Sequence, residues 1–149
     1  MRRDKKEWDG LGGNYIVLDP TTTPPNRINM HAFWDQLPGV NPSYQTVATL
    51  ADKLENAKAV KKSVQNEYRN NKTIPSWVQE SYHLAVQYAY DENRVTFAHV
   101  DDLKSGKVSE ADIPKLRPEY IQGAHEIAER RLILAGQRLT DHLKKALQP

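Results

Sequence analysis

The stretch Asn29-Met30-His31-Ala32-Phe33-Trp34-Asp35 is the part of this 149-residue sequence that says most about its fold and chemistry. Within it, His31 and Asp35 lie four residues apart, and residues at that spacing are neighbours on one face of a helix. An imidazole nitrogen and a carboxylate oxygen both bind zinc at about 2.0–2.2 Å. One ion could therefore contact both side chains without any distortion of the backbone.

Spacing alone does not establish a metal site. The chain contains five histidines and nineteen acidic residues, so roughly one histidine–acid pair at this spacing is expected by chance. A second pair, His125 and Glu129, does occur. The zinc hypothesis for His31 and Asp35 therefore depends on the rest of the chain.

The helix that carries this pair has recognisable ends. Asn26 and Asn29 are both of the residue type that caps helix N-termini, and either could begin it. Pro38 restricts the residue before it, so the helix should end there or earlier. Phe33 and Trp34 are interpreted as core residues that hold the helix in place.

The composition predicts one soluble globular domain spanning residues 1–149. Charged residues make up 27%, hydrophobic residues 38%, and the net charge is +2, which excludes a disordered tail and a polybasic nucleic-acid binder. The chain has no cysteine, so a metal site must use histidine, carboxylate, carbonyl or water ligands. No apolar run approaches the roughly 18 residues of a membrane span, and no signal peptide is recognisable.

The segments before this helix are predicted to be mostly irregular. Residues 1–13 form a charged leader that ends in a glycine turn. Asn14–Leu18 is a short β-favouring run, either a strand or an extended segment. Thr21–Arg27, with its threonines and prolines, is a stiff loop.

The remainder predicts helices. Apolar residues recur every three or four positions across Ser43–Tyr68, which indicates one long amphipathic helix. Another helix starts near Ile74, with Ser76 and Gln79 spaced as a capping box. Residues 91–117 are polar and irregular, and a final helix begins at Pro118 and runs nearly to the end.

The predicted fold class is therefore all-α, with one short extended segment near Asn14–Leu18. Gly123 and Gly136 interrupt the final helix and each lowers helix propensity by about 1 kcal/mol. A neighbouring helix packed closely against these two glycines would explain them.

Four motifs occur in a fixed order, and together they carry a family resemblance: Gly12-Gly13-Asn14, then Asn29-Met30-His31-x-x-x-Asp35, then Trp77-x-x-Glu80-Ser81, then Ala135-Gly136-x-Arg138-Leu139. The chain from about Asp9 onward resembles the C-terminal half of the single-strand-specific zinc-dependent nucleases. These are class I nucleases of the mung bean nuclease type, in a superfamily that also includes zinc-dependent phospholipase C.

The resemblance implies a helical domain with three zinc ions in a cleft. It assigns His31 and Asp35 to one zinc and Asn14 to contact with the phosphate under attack. The implied activity is phosphodiester hydrolysis of single-stranded DNA or RNA, together with 3′-nucleotidase activity, by a metal-activated water. Zinc lowers the pKa of a bound water to about 7 and offsets charge on the phosphoryl oxygens.

Departures from the family pattern shape the expectation for this chain. In the family, the remaining zinc ligands lie upstream of Gly-Gly-Asn, whereas here the residues before Asn14 include no histidine. We therefore expect a partial domain that binds zinc weakly and has little or no activity alone. The full-length protein would be secreted or periplasmic, and the half-domain would self-associate through apolar surface on the Ser43–Tyr68 and Pro118–Leu147 helices.

Alternatives remain open at this point. The substrate could be a phospholipid, as in the phospholipase branch, or the chain could be a non-catalytic helical remnant that acts as an interaction module. Asn14 fits a structural turn as well as it fits a phosphate contact. Glu80 and Ser81 match a helical motif of no known catalytic duty, and His125 with Glu129 is interpreted as a surface pair.

Overall fold

The computed structural model describes residues 11–19, 28–90 and 98–148 of the chain. The predicted leader up to residue 10 and the predicted loop Thr21–Arg27 lie outside the described residues. The prediction of a mostly helical fold is confirmed. The helices are α1 (Met30–Gln36), α2 (Tyr44–Asn56), α3 (Lys58–Asn70), α4 (Ile74–Leu84), α5 (Val100–Lys104) and α6 (Pro118–Ala146).

The chain divides into two compact units. The first unit comprises Met1–Leu37 and Tyr90–Gln122, and the second comprises Pro38–Ala89 and Gly123–Pro149. The division falls inside α6, whose first turn belongs to the first unit. That both units form a single domain stays a prediction.

A small antiparallel sheet organises the first unit. Its strands are β1 (Ile16–Leu18), β2 (Ile28–Asn29) and β3 (Ala98–His99), in the order β2-β1-β3. The predicted extended segment is thus a strand, whereas the two partner strands were not predicted because each has only two residues. Since both pairings are antiparallel, the start of β1 lies beside the ends of β2 and β3. The start of α1 and the start of α5 therefore lie at the same end of the sheet.

Helix α1 is short and is held by its cap and by aromatic packing. The side chain of Asn29 accepts a hydrogen bond from the Ala32 backbone at 2.7 Å, which confirms Asn29 as the cap. Phe33 is buried and its ring stacks on Tyr120, with centroids 6.0 Å apart. The indole nitrogen of Trp34 donates to the Tyr120 hydroxyl at 3.2 Å. The interpretation of Phe33 and Trp34 as packing residues of α1 agrees with these contacts.

The predicted single helix Ser43–Tyr68 is wrong, because α2 and α3 are separate helices. They meet at Ala57, whose ψ of 68° is not helical. No glycine or proline marks this break. Tertiary packing explains it, since the bend lets Leu54 of α2 and Val64 of α3 enter one core cluster. The other fully packed members of that cluster are Ile133 and Leu134 of α6.

Two further local predictions are corrected. The capping box of α4 is formed by Thr73 and Ser76 rather than by Ser76 and Gln79. The segment 91–117 is less irregular than predicted, because its described part contains β3, α5 and a short 3-10 turn at Glu110–Asp112. Residues 91–97 lie outside the described residues.

The close packing predicted at two glycines of α6 is also wrong. A Cβ built on Gly123 or Gly136 would meet no atom within 4 Å among the described residues, so no helix presses against either position. Gly136 is exposed and Gly123 is partly buried, and the structure gives no packing reason for glycine at either position.

Apolar side chains are exposed on several helices of the second unit. Exposed apolar surface was predicted on the segments that form α2, α3 and α6. Helix α4 also exposes apolar side chains, at a spacing of four residues. The exposed side chains are Tyr44 and Val47 of α2, Ile74, Val78 and Tyr82 of α4, and Leu132, Leu139 and Leu143 of α6, together with Val86 just after α4 and Leu147 just after α6. Among the described helices, none is long and apolar enough to cross a lipid bilayer.

Candidate metal site

His31 and Asp35 meet on the exposed face of α1, as the sequence predicts. The imidazole Nε2 lies 3.1 Å from Asp35 Oδ2. The side chains are 49% and 68% exposed, respectively. The pair is therefore open to solvent and to an incoming ligand.

The opposite ring nitrogen of His31 is held by the backbone. Nδ1 lies 3.1 Å from the carbonyl oxygen of Gly12, to which it can only donate. A neutral ring that donates through Nδ1 carries a lone pair on Nε2, the nitrogen that faces Asp35. Histidines that bind metals usually donate their other ring N–H to a carbonyl or carboxylate in this way. The sequence did not predict this contact.

The glycine turn makes that backbone contact possible. Gly12 and Gly13 form part of a 3-10 turn and have φ values of 65° and 94°, a left-handed region that glycine adopts readily. A Cβ on Gly13 would lie 3.0 Å from the His31 backbone nitrogen and 3.2 Å from Met30 Cβ. The second glycine therefore lets the turn press against the start of α1. The Gly12-Gly13 dipeptide was the only sequence signal for this arrangement.

The distance between the two side chains fits adjacent ligands of one zinc ion. Two atoms bound at about 2.0–2.2 Å with a tetrahedral angle lie roughly 3.3–3.5 Å apart. The observed 3.1 Å between Nε2 and Oδ2 differs by a few tenths of an ångström, which exposed side chains can absorb. His31 and Asp35 therefore fit two positions of a zinc site.

The described part of the chain does not extend this pair to a larger cluster. In residues 11–19, 28–90 and 98–148, no group of three histidine or acidic side chains is placed to hold a metal. Zinc sites in proteins have three or four protein ligands. His31 and Asp35 thus account for part of one such site.

Asn14 lies close in sequence to this arrangement. It follows the glycine turn directly, two residues after Gly12, and its side chain is exposed at the end of the sheet where α1 begins. This position places an amide group on the same side of the first unit as His31. Whether Asn14 contacts a phosphate stays a prediction.

His99 and the acid four residues after His125 have structural contacts instead. Although His125 and Glu129 share the spacing of the candidate pair, Glu129 forms an ion pair with Lys53. His99 caps α5 by accepting from the Asp101 backbone at 3.2 Å.

Glu80, which the sequence motifs singled out, belongs to a buried ion network in the second unit. Arg138 donates to its Oε1 at 2.8 Å, and Arg131 donates twice to its Oε2, at 3.1 Å each. Asn71 also donates to Oε1 at 2.6 Å. The Trp77 and Arg138 motifs therefore meet at one structural cluster, with the guanidinium of Arg138 lying 4.8 Å from the Trp77 ring centre.

Comparison with known proteins identifies the family. No curated protein and no solved structure matches the chain in these comparisons. A family model described as S1/P1 nuclease matches residues 5–148, which include both units. This family is typically zinc-dependent, is typically secreted and has a nuclease function that hydrolyses phosphoester bonds. The chain, with its glycine turn, its His31–Asp35 pair and its helical fold, belongs to the S1/P1 nuclease family.

Proposed function

We propose that this chain takes part in zinc-dependent hydrolysis of phosphodiester bonds in single-stranded nucleic acid. In this proposal His31 and Asp35 are two ligands of one zinc ion and Asn14 contacts the phosphate. One observation carries it: the Gly12 carbonyl holds Nδ1 of His31 while Nε2 faces Asp35 in the open. Family membership supports the reaction class.

His31 and Asp35 would contribute different ligand atoms to the zinc ion. His31 supplies a neutral nitrogen donor whose orientation is fixed by Gly12. Asp35 supplies an anionic oxygen that offsets part of the charge of a divalent cation. Zinc, when bound, lowers the pKa of water and stabilises negative charge on phosphoryl oxygens.

Asn14 has a separate role in this proposal. Its side-chain amide can donate a hydrogen bond to a phosphoryl oxygen, where negative charge grows during attack. Its exposed position beside the glycine turn supports this role. Asn14→Asp should weaken phosphate binding, because it replaces a neutral hydrogen-bond donor with an anion that repels the phosphate.

Family membership supports a proposal for the substrate and the location. Single-stranded DNA or RNA and 3′-nucleotides are the proposed substrates, and the proposed location is secreted or periplasmic, as is typical of the family. Zinc binding by the chain alone is expected to be weak, because His31 and Asp35 supply only two of the ligands that a zinc site needs.

Zinc titration by calorimetry tests the proposed ligands. The chain should bind zinc, and both His31→Ala and Asp35→Asn should remove that binding heat. His125→Ala is the matched control, since His125 has an acid at the same spacing, and it should leave the heat unchanged. A tight zinc site that survives His31→Ala, or a wild-type chain that takes up no zinc, would contradict the assignment.

Hydrolysis of labelled oligonucleotides tests the reaction class. With excess zinc, the chain should cleave single-stranded DNA slowly and duplex DNA still more slowly, and a chelator should stop both reactions. Asn14→Ala should lower the rate without changing zinc binding. Cleavage that persists in the chelator, or a preference for phosphatidylcholine vesicles over DNA, would overturn the proposed substrate.

A further inference from the structure

The outer face of helix α3 carries positive charge and no negative charge. Three of the exposed side chains of this helix are cations, and none of its exposed side chains is acidic. The net charge of the whole chain is only +2, so this concentration of positive charge is local. We name these three cations the α3 stripe, which consists of Lys58, Lys62 and Arg69.

Packing of α3 against the core turns the stripe away from the protein. Val64 is fully buried, and Val60 and Tyr68 pack against the same core cluster. With about 3.6 residues per turn, the three cations lie within about 40° of one another around the helix axis, on the side opposite to Val64. The exposed residues of α3 include no apolar side chain larger than alanine. The outer face is therefore purely polar.

The cations of the α3 stripe form no ion pair within the described part of the chain. Glu67, the acidic residue of α3, lies 3.6 Å from Arg130 and 3.8 Å from Arg131 instead. Elsewhere in the second unit, the exposed Lys53 is paired with Glu129. The positive charge of the stripe is thus not neutralised by the described residues and is available to an anionic partner.

The length of the stripe suits a chain of phosphates better than a single small anion. Lys58 and Arg69 are eleven positions apart, which is about 16 Å along a helix axis at about 1.5 Å per residue. A nucleic-acid strand carries one phosphate about every 3.4 Å, so about five phosphates span this length. Asn66 is exposed between Lys62 and Arg69, and its amide can donate a hydrogen bond to a phosphate oxygen.

We infer that the α3 stripe binds the sugar–phosphate backbone of nucleic acid without reading its sequence. The choice of ligand rests on the proposed function, but the stripe lies in the second unit, whereas His31 and Asp35 lie in the first. Cations that neutralise phosphates release condensed counterions, and this release supplies affinity that does not depend on sequence. The stripe binds a strand whether or not zinc is present.

The salt dependence of oligonucleotide binding tests the inference. Fluorescence anisotropy follows a labelled single-stranded oligo(dT) in a chelating buffer, which removes zinc and prevents zinc-dependent hydrolysis. The slope of log binding constant against log salt concentration is about −0.7 for each phosphate that is neutralised on a single strand. Substituting the stripe by Lys58→Gln, Lys62→Gln and Arg69→Gln should lower affinity and make that slope shallower by about 2.

This triple variant should also retain the fold. Glutamine has nearly the same helix propensity as lysine and arginine, so circular dichroism should show an unchanged helix content. Between about 50 and about 200 mM salt, the affinity of the wild type should fall about 20-fold more than that of the variant. A slope that is unchanged in the folded triple variant would overturn the inference.

A second triple variant separates the stripe from the net charge of the protein. Lys104→Gln, Lys144→Gln and Lys145→Gln remove the same charge from exposed positions on α5 and α6. Because these lysines lie outside the stripe, the slope should stay at the wild-type value. Equal changes of slope in the two triple variants would show that net charge alone controls binding and would contradict a site on α3.

An anionic membrane is the competing partner for a row of cations. Helices that lie in a membrane surface bury an apolar face in it, and the apolar face of α3 is already packed against the core. Vesicles of equal parts phosphatidylserine and phosphatidylcholine should therefore bind more weakly than the oligonucleotide. Vesicle binding that is tighter than oligonucleotide binding and depends on the stripe would overturn the choice of nucleic acid.

The variant His31→Ala distinguishes this inference from the proposed function. It should leave oligonucleotide binding in the chelator unchanged. If the slope depends on the stripe while zinc binding is insensitive to His31→Ala, the stripe stands and the metal assignment fails. If zinc binding depends on His31 while the stripe variant keeps the wild-type slope, the metal assignment stands and the inference about the stripe fails.

Discussion

Two carboxylates in this protein illustrate opposite uses of a charged side chain. Asp35 in the first unit faces one histidine, and its side chain is 68% exposed. Glu80 in the second unit faces two arginines and an asparagine, and its side chain is 9% exposed. Every oxygen of Glu80 accepts from at least one donor, whereas Asp35 keeps lone pairs accessible to a ligand.

The contrast separates a candidate site from a structural cluster by physical criteria. A buried charge must have its hydrogen bonds satisfied, so the role of Glu80 is to stabilise the fold. An exposed pair contributes little to stability, so the geometry of His31 and Asp35 has no obvious structural reason. Asp35 and Glu80 both lie in motifs that the sequence analysis identified. The structure shows that Asp35 is exposed to a ligand, whereas both oxygens of Glu80 already accept hydrogen bonds.

Removing the charge of Glu80 should produce the largest effect. Glu80→Gln leaves Arg138, whose side chain is 8% exposed, without its anionic partner. Breaking one side of a buried ion pair typically costs about 3–5 kcal/mol. Chemical denaturation should show this loss, whereas Asp35→Asn should change the free energy of unfolding by about 0.5 kcal/mol or less. Equal losses of stability in the two variants would contradict the distinction between a structural Glu80 and an exposed Asp35.

The glycine turn beside the exposed pair should be the next most sensitive point. Gly13→Ala combines a left-handed φ with a Cβ only 3.0 Å from the His31 backbone nitrogen. Gly39 also has a positive φ, of 112°, but a Cβ there meets no atom of the described residues within 4 Å. Gly39→Ala should therefore cost about 1–2 kcal/mol from backbone strain alone.

The difference between these two variants measures the contact of the turn with α1. Gly13→Ala should destabilise the protein more than Gly39→Ala, and it should also lower the binding heat of zinc. If both glycine variants unfold with the same free energy, the close approach of the turn to α1 is not important for stability.

Much of the fold and the central pair could be predicted from the sequence. The short helix around His31, its Asn29 cap and the start of α6 at Pro118 follow from local rules of capping and proline geometry. The pairing of His31 with Asp35 follows from helix spacing. These features depend on contacts between residues that are close in sequence.

The remainder depends on contacts between distant residues, which local patterns do not encode. The break between α2 and α3 at Ala57 arises from a core shared with α6. The contact of Gly12 with His31 joins residues nineteen positions apart. Strands β2 and β3 have two residues each, too few for any alternating pattern to be visible.

The hydroxyl of Tyr120 offers a smaller and more local test. It accepts a hydrogen bond from the Trp34 indole, and burial raises the pKa of Tyr120 to about 12, so the hydroxyl stays protonated at neutral pH. Tyr120→Phe should cost about 0.5–1.5 kcal/mol for the lost hydrogen bond. Zinc affinity should also fall, because Trp34 lies on α1 between His31 and Asp35.

The variant Trp34→Phe tests whether the Trp34–Tyr120 hydrogen bond causes the expected fall in zinc affinity. If the hydrogen bond carries the effect, adding Tyr120→Phe to Trp34→Phe should produce almost no further loss of zinc affinity. Fully additive losses would show that the two side chains act separately, and Tyr44→Phe on the exposed surface should have no effect.

The pH dependence of stability should show the smallest effect of the series. Burial alone would raise the pKa of Glu80, but hydrogen bonds from Arg138, Asn71 and Arg131 outweigh burial and lower it. The ionised carboxylate therefore contributes stability that is fully present above the unfolded-state pKa of about 4.3. That contribution is lost as the pH falls through the lower folded-state pKa.

The free energy of unfolding, measured by chemical denaturation at pH values from about 6 to about 3, where carboxylates titrate, gives the size of this contribution. Wild-type stability should fall more steeply than that of Glu80→Gln below the unfolded-state pKa. Parallel curves for the two proteins would contradict the lowered pKa of Glu80. Asp35→Asn is the reference for a carboxylate on the surface.

Nitrogen-15 NMR of the His31 ring, with and without zinc, tests the central claim most directly. The account predicts a proton on Nδ1, held by the Gly12 carbonyl, both without zinc and with it, and it predicts that zinc takes the place of any proton between Nε2 and Asp35. Adding zinc should shift the Nε2 resonance and leave the Nδ1–H signal in place, while His125 stays unchanged. Zinc that shifts the Nδ1 resonance and leaves Nε2 protonated, or zinc that shifts His125 as much as His31, would contradict the account.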